Sequence, residues 1–435
     1  MKKYKIAIIG AGPAGYFTAQ ALQKAQNSSI SFSIDLIERL PTPWGLVRSG
    51  VAPDHQKIKT VSKVFEKIAK EPNFRLFANV ELGKDIALKD LRDQYDVVVL
   101  ATGATKGRRI GIPGENLKNS LSAADFVPWY NGHPNYVGLE FDLNCDTAVI
   151  IGAGNVALDV ARILSMDPQT LESTDVALHA LERFKSSKLQ TIILCGRRGP
   201  EHASFTPHEL RELLKLQGVN LYVDEAQISS SKKRVENWFD LEKEIESNLS
   251  TMELISAINK AKLKRKLEIK FLLTPIEIRG SNKVKEIVFN TNSIENGKVT
   301  SNGKNLVIKC GLVVSAIGYD VEGYPGVLVE NGRIKNIAGH VGGNIYVVGW
   351  AKRGSNGVIG TNKSDSAGVV ELMIKNLKEP KNSEGITAIL PYGHTVIDQM
   401  AWERINASEV LAGEISGKPR IKETELRRLL KLGQA

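Results

Sequence analysis

The sequence predicts an α/β chain built on two mostly parallel sheets, and three observations carry that expectation. A short apolar run, a glycine turn and a helix follow one another at 4–22 and again at 147–164. Strand-sized apolar runs at 97–100 and 311–318 follow each copy and end in small-residue turns. A further strand with a glycine-rich turn, at 344–361, reads as a return to the first unit. A length of 435 residues suits two or three cores rather than one.

In the first copy, Ile6-Ala7-Ile8-Ile9 reads as a buried parallel strand, and the residues from Tyr16 to Leu22 as a helix. Gly10, Gly12 and Gly15 lie between them at G-x-G-x-x-G spacing. The first glycine permits the tight turn, the second admits a pyrophosphate to the backbone, and the third lets helix and strand pack closely. The anion then lies on free N–H groups at the helix start. A second strand over 31–37 ends in Glu38, where a carboxylate can accept both hydroxyls of a ribose.

The residues 39–55 are too rich in proline and glycine for a long helix and read as an ordered loop, with Trp44, Leu46 and Val47 able to line a flat ligand. A helix over 56–70 and strands over 74–80 and 95–100 complete this half. The second copy carries Gly152, Gly154 and Ala157 at the same spacing. Its next strand, 191–196, ends in Arg197 and Arg198 where the first copy has Glu38. Paired arginines suit a 2′-phosphate as a carboxylate suits free hydroxyls, so the first copy is expected to take FAD and the second NADP(H). Thr206, Pro207 and Glu209 form a helix start, which alone accounts for Glu209. Segments at 267–274, 285–290 and 306–309 read as antiparallel or meandering strands.

Composition narrows the classes further. The 42% hydrophobic and 24% charged residues are ordinary for a globular enzyme, and no apolar run reaches the length of a membrane span. The first strand starts at Tyr4, leaving no room for a signal peptide, so a cytoplasmic location is expected, and a mature organelle protein numbered after cleavage fits equally. Cys145, Cys195 and Cys310 are far apart and form no C-x-x-C, so neither an iron–sulfur cluster nor a dithiol relay is encoded, and no metal site is expected. The net charge is +10, and the polar stretch 228–270 carries basic clusters, Lys232-Lys233-Arg234 and Lys262, Lys264, Arg265 and Lys266. A solvated face and a dock for an acidic electron carrier both fit it. The charge carries no aromatic RNA-binding signature, which leaves a nucleic-acid partner unsupported.

Taken together, these residues resemble the adrenodoxin reductase-type ferredoxin–NADP reductases. The likeness runs through GAGPAGYFTAQ at 10–20, GLVRSGVAPDHQKIK at 45–59, IPGE at 112–115 and WYNG at 129–132. It continues in AVIIGAGNVALDVARIL at 148–164, GRRGP at 196–200, FTPHELREL at 205–213, GWAKRG at 349–354 and GVIGTN at 357–362. It implies two Rossmann-like domains with the NADP domain, 108–331, inserted into an FAD domain made of 1–107 and 332–435. It implies FAD contacts at Ala14, Glu38, Leu46 and Leu82, joined by Trp350, Gly357, Val358 and Ile359. NADP contacts are implied at Gly154, Asn155, Val156, Ala157, Arg197, Arg198 and Glu209, with His55 and Glu209 as a polar pair near the reaction centre. The reaction implied is hydride exchange between NADPH and flavin N5, then single-electron transfer with a ferredoxin or a similar acidic carrier such as flavodoxin. Leu82, where the family often has valine, and Ser355-Asn356, in place of a proline-containing loop, depart from its pattern. An NADPH diaphorase or a glutamate synthase β-subunit-like flavoprotein is the alternative, although the latter usually bears cysteine clusters that this chain lacks.

Overall fold

The computed structural model describes residues 1–236, 238, 242–258, 260–295 and 297–434. The chain forms two compact units. One comprises Met1–Lys106, Asn131–Pro134 and Tyr319–Ala435, and the other Gly107–Tyr130 and Asn135–Gly318. The first unit therefore takes the chain back at Tyr319 rather than at 332, and it also holds 131–134. The reason is local: Val321 N–H donates to the Gly332 carbonyl at 3.0 Å, tying the start of the return to the segment around 332.

The first unit is a six-stranded sheet in the order His340–Gly342, Ile345–Val347, Val97–Leu100, Lys2–Ile9, Ile30–Glu38, Phe74–Ala78. All its pairings are parallel except that of the edge strand His340–Gly342. Lys2–Ile9 lies in the middle because both of its faces are apolar. Tyr4, Ile6 and Ile8 enter one core, with the aromatic stack of Tyr16 on Phe65, while Ala7 and Ile9 enter a second core on the opposite face. Alternation between two cores is what makes a doubly covered strand read as one unbroken apolar run.

The second unit repeats this plan. Its sheet order is Ser120–Ser122, Leu312–Ser315, Thr147–Ile151, Thr191–Cys195, Arg265–Lys270, Val219–Val223, with all pairings parallel. Ala148 and Ile150 face one core, Val149 and Ile151 the other. Leu273–Arg279, Glu286–Glu295 and Lys298–Lys309 add an antiparallel sheet.

Three expectations change in detail. The helix expected over 56–70 breaks into Gln56–Lys59 and Ser62–Ala69, because the Thr60 hydroxyl donates to the Lys57 carbonyl and competes with the helical ladder. The strand expected over 267–274 turns at Leu272, whose φ is +59°, so its halves enter different sheets. The polar stretch from 228 onward contains the helices Glu225–Val235 and Lys243–Ala257, which bury Ile228, Met252 and Ile255. Among the described residues no helix is long and apolar enough to cross a membrane.

Candidate nucleotide-binding sites

The first glycine turn is shaped for close approach. Gly10 has φ +109°, and a Cβ there would stand 2.5 Å from the Ala101 carbonyl oxygen. A Cβ at Gly15 would stand 2.1 Å from the Gly10 oxygen, so only glycine lets the helix Pro13–Ala25 sit this close to the strand. At Gly12 the nearest heavy atom to such a Cβ is 3.9 Å away, which leaves room for a ligand. The helix begins with no side-chain cap and no acidic residue in its first turn, so its N–H groups and positive dipole end suit an anion.

Glu38 closes the second strand beside this turn. Its Oε2 accepts from Ala11 N–H at 2.9 Å and its Oε1 from Leu40 N–H at 3.1 Å, which fixes the carboxylate. Burial pushes the Glu38 carboxyl above its ordinary value, against the pull of those two N–H groups. A cleft of about 340 Å³ opens at this point, lined by Gly10, Glu38, Leu82, Thr102 and Tyr324 among others. It lies at the carboxyl ends of neighbouring parallel strands, where ligands of open α/β sheets bind. These features fit the adenosine and pyrophosphate of a dinucleotide.

The returning chain reaches the same turn. Gly349 has φ +69°, and a Cβ there would stand 2.6 Å from Ala14 Cβ. Asp365 fixes it by accepting from Gly349 N–H at 2.7 Å and from Lys352 and Arg353 at 2.9 Å each. Trp350 is half-buried, its ring 5.8 Å from that of Tyr319. Gly357 has φ +80°, Val358 is exposed and donates its N–H to Thr361 Oγ1 at 3.2 Å, and Ile359 packs on the first core. Leu46 is exposed at the start of the short helix Leu46–Ser49, which interrupts the expected loop.

The second unit rebuilds the turn with a buried alanine, Ala157, in place of the third glycine. Gly152 has φ +144°, and a Cβ there would meet the Ala316 oxygen at 2.3 Å, as Gly10 meets Ala101. The helix Asn155–Ser165 likewise starts with no side-chain cap and no acid in its first turn. Asn155 Oδ1 accepts from Thr206 N–H at 2.8 Å, and Ser204 N–H donates to the Ala153 carbonyl at 2.7 Å. Both bonds draw the 204–209 segment over the turn carrying Gly154, Val156 and Ala157. Arg197 and Arg198 are exposed at the end of Thr191–Cys195. The sequence reading missed what holds their loop. Glu201, buried, accepts from Arg234 Nε at 2.6 Å and Nη2 at 3.0 Å. Burial opposes ionisation of Glu201, but the hydrogen bonds from Arg234 and Ser231 overcome it and hold the carboxyl below its ordinary value. Arg234 is thus bound to a buried carboxylate and is no part of a free basic face.

His55 belongs to the first unit, where it precedes Gln56–Lys59, and Glu209 to the second. Glu209 N–H donates to the capping Thr206 hydroxyl at 3.4 Å. Within that unit the Asp159 carboxylate accepts from buried Arg162 at 2.5 Å, and burial, with the nearby Glu209 charge, pushes the Asp159 carboxyl well above its ordinary value.

The family profile described as pyridine nucleotide-disulphide oxidoreductase matches residues 4–236. Over the full length of both chains, the sequence is 42% identical to the NADPH-ferredoxin reductase FprA of Mycobacterium tuberculosis. It is 36% identical to the mitochondrial NADPH:adrenodoxin oxidoreductase of Homo sapiens, over 99% of this chain and 92% of that one. The solved structure of M. tuberculosis FprA in complex with NADPH superposes with a TM-score of 0.96 at 40% identity, covering all of both chains. This chain belongs to the pyridine nucleotide-disulphide oxidoreductase family, among its adrenodoxin reductase-type members.

Disulphide chemistry, which that family's description names, finds no support in these cysteines. All three are free thiols. Burial pushes the Cys145 thiol up to about 11 and that of Cys310 up to about 12, and raises that of Cys195 as well. Thiols raised in this way are not the thiolates that exchange requires.

Proposed function

We propose that the chain is an FAD-dependent NADPH–ferredoxin reductase, with flavin held by the first unit and NADP(H) by the second. The observation that carries this reading is the reversal of charge between two copies of one fold. Glu38 and the arginines Arg197 and Arg198 stand at equivalent strand ends. A bound flavin supplies the interchange between a two-electron hydride and single electrons.

The chain's own residues bind and orient. Gly12 and the uncapped start of Pro13–Ala25 receive the pyrophosphate of FAD, with Ala14 and Gly15 in the same turn. Glu38 accepts the ribose hydroxyls and Leu82 lines the adenosine side, both in the cleft beside the glycine turn, and Leu46, Trp350 and Gly357–Ile359 border the ring, as the resemblance implies. Gly154–Ala157 receive the NADP pyrophosphate, and Arg197 and Arg198 its 2′-phosphate. His55 and Glu209 orient the nicotinamide carboxamide or hold a proton beside it. No residue is needed as a nucleophile.

The acceptor is read as a small acidic iron–sulfur protein, steered by the chain's net charge of +10, in the cytoplasm. The test is purification of the yellow protein and measurement of NADPH-dependent cytochrome c reduction with and without ferredoxins of the same host. A rise with ferredoxin is expected. A rate that no ferredoxin raises favours a diaphorase, a rise with flavodoxin alone reassigns the partner, and protein that binds no FAD sinks the proposal.

A further inference from the structure

The flavin turn is gripped by the end of the chain. The segment before Arg48 is strained: Trp44 has φ +83° and Gly45 φ +50°, both in the left-handed region. Its position is close against the glycine turn. Trp44 N–H donates to the Ala11 carbonyl at 2.7 Å, and a Cβ on Gly45 would stand 2.9 Å from Gly12 Cα. A shift of this loop therefore shifts one wall of the space beside Gly12.

What holds the loop lies some 360 residues further on. The helix Gln399–Ile415 buries Trp402, Ile405, Glu409 and Gly413 on one face, a stripe at helical spacing that includes a carboxylate. Glu409 is 2% exposed and Arg48 8%. Arg48 Nη1 and Nη2 donate to the two Glu409 oxygens at 2.7 and 2.5 Å, the planar two-pronged arrangement that fixes direction as well as distance. Arg420 at 3.3 Å and Glu423 N–H at 2.9 Å complete the carboxylate's donors. Burial opposes its ionisation, but the Arg48 charge and hydrogen bonds prevail and keep the carboxyl below its ordinary value. Trp44 is clamped from the same side, edge-on to Trp402 at 5.0 Å and beneath the Arg420 guanidinium at 5.3 Å.

We propose that Glu409 is a positioning residue for FAD, acting through Arg48 to hold the 44–48 loop against the pyrophosphate turn. This rests on the reading of the first unit as the flavin site. A buried ion pair contributes little net stability, because desolvation offsets attraction, so its defined geometry is the reason to look for a role in positioning.

The test compares FAD affinity in three variants with the natural protein. Deflavinated protein is titrated with FAD, and thermal unfolding of the FAD-free forms is followed in parallel. Glu409→Gln and Arg48→Lys, the latter keeping the charge but losing the fork, are expected to weaken FAD at least tenfold. Ile405→Ala, a cavity on the same helix with no polar link to the loop, is expected to lower the unfolding temperature while leaving FAD affinity within twofold. If Glu409→Gln does not fold, Arg48→Lys decides alone. Unchanged FAD affinity in the folded variants, or an equal loss in Ile405→Ala, overturns the inference. Absence of FAD binding by the natural protein would instead overturn the reading beneath it.

Discussion

Two glycine turns in this chain share a backbone and differ in what surrounds them. Gly10 and Gly152 both have positive φ, and each lies so near a neighbouring strand's carbonyl that a methyl group would overlap it. In each unit the first strand of the copy is flanked by the next strand of the copy on one side and by a later-returning strand on the other. They part at two points. Gly15 packs its helix tightly, whereas Ala157 occupies the matching position with a side chain. The next strand ends in a fixed carboxylate in one unit and in two exposed arginines in the other. On the proposed reading the fold offers a pyrophosphate cradle twice, and the sign of one strand end distinguishes the two riboses.

The largest expected effect breaks the shared part. Gly10→Ala forces a side chain into a left-handed backbone against the Ala101 oxygen, and should destabilise the protein by more than about 3 kcal/mol. Gly152→Ala should be as costly by the same overlap. Where either folds, Gly10→Ala should lose FAD and Gly152→Ala should lose NADP(H), as equilibrium binding of each nucleotide will show. Loss of both by either variant would mean that the two sites are not separable.

Reversing the sign comes next. Arg197→Ala with Arg198→Ala removes charge-assisted bonds contributing about 1.5–3 kcal/mol each, so the kcat/KM preference for NADPH over NADH should fall by about a hundredfold or more. Stopped-flow reduction by each nucleotide measures this. If NADH already reduces the natural protein as fast as NADPH, the arginines have no such role.

At Glu38 the same logic gives a pH dependence. Burial holds its carboxyl above the ordinary value, so the FAD-free fold retains a proton that the unfolded chain has lost. That contribution to stability is complete below the ordinary carboxylate pKa and disappears as pH rises through the raised one. Ribose hydroxyls donate to the ionised form, so FAD should bind more weakly as pH falls from neutrality through the Glu38 range. Glu38→Gln should flatten that dependence and weaken FAD by about tenfold, the difference between a charged and a neutral acceptor. Fluorescence titration of the deflavinated protein across pH checks both.

Both sheets were legible in the sequence because their signals are local: an apolar run, a glycine turn and a helix within some twenty residues, repeated. Glu38 and the arginine pair were legible because each directly ends a strand. What escaped was held by partners far apart in the chain. The helix Gln399–Ile415 hides because its buried stripe includes Glu409, which reads as a surface residue until Arg48 is seen beside it. Strand Val219–Val223 went unread, and it pairs beyond Arg265–Lys270, out of chain order. Lys232-Lys233-Arg234 reads as one basic cluster, yet Lys232 pairs with Glu253 and Arg234 with Glu201. Charge counted along a sequence says nothing about which cations are already neutralised.

That last pair yields the smallest and most selective expectation. Glu201 follows the arginine loop directly, and a Cβ on Gly199 would stand 2.3 Å from its Oε2, so the loop is moulded on the ion pair. Removing Arg234 alone would leave a buried carboxylate uncompensated, at about 3–5 kcal/mol, and any loss of function would be hard to separate from unfolding. Replacing both partners, Glu201→Met with Arg234→Met, avoids this, since apolar residues of similar volume often substitute for a buried pair at little cost. Stability should then change little while Arg197 and Arg198 lose their fixed support. NADPH binding should weaken by about 0.5–1.5 kcal/mol, some two- to tenfold, and NADH binding should not change. A double variant that weakens both nucleotides alike would show the pair supporting the whole unit. One that weakens only NADPH ties the exposed arginines to the 2′-phosphate through the buried pair behind them.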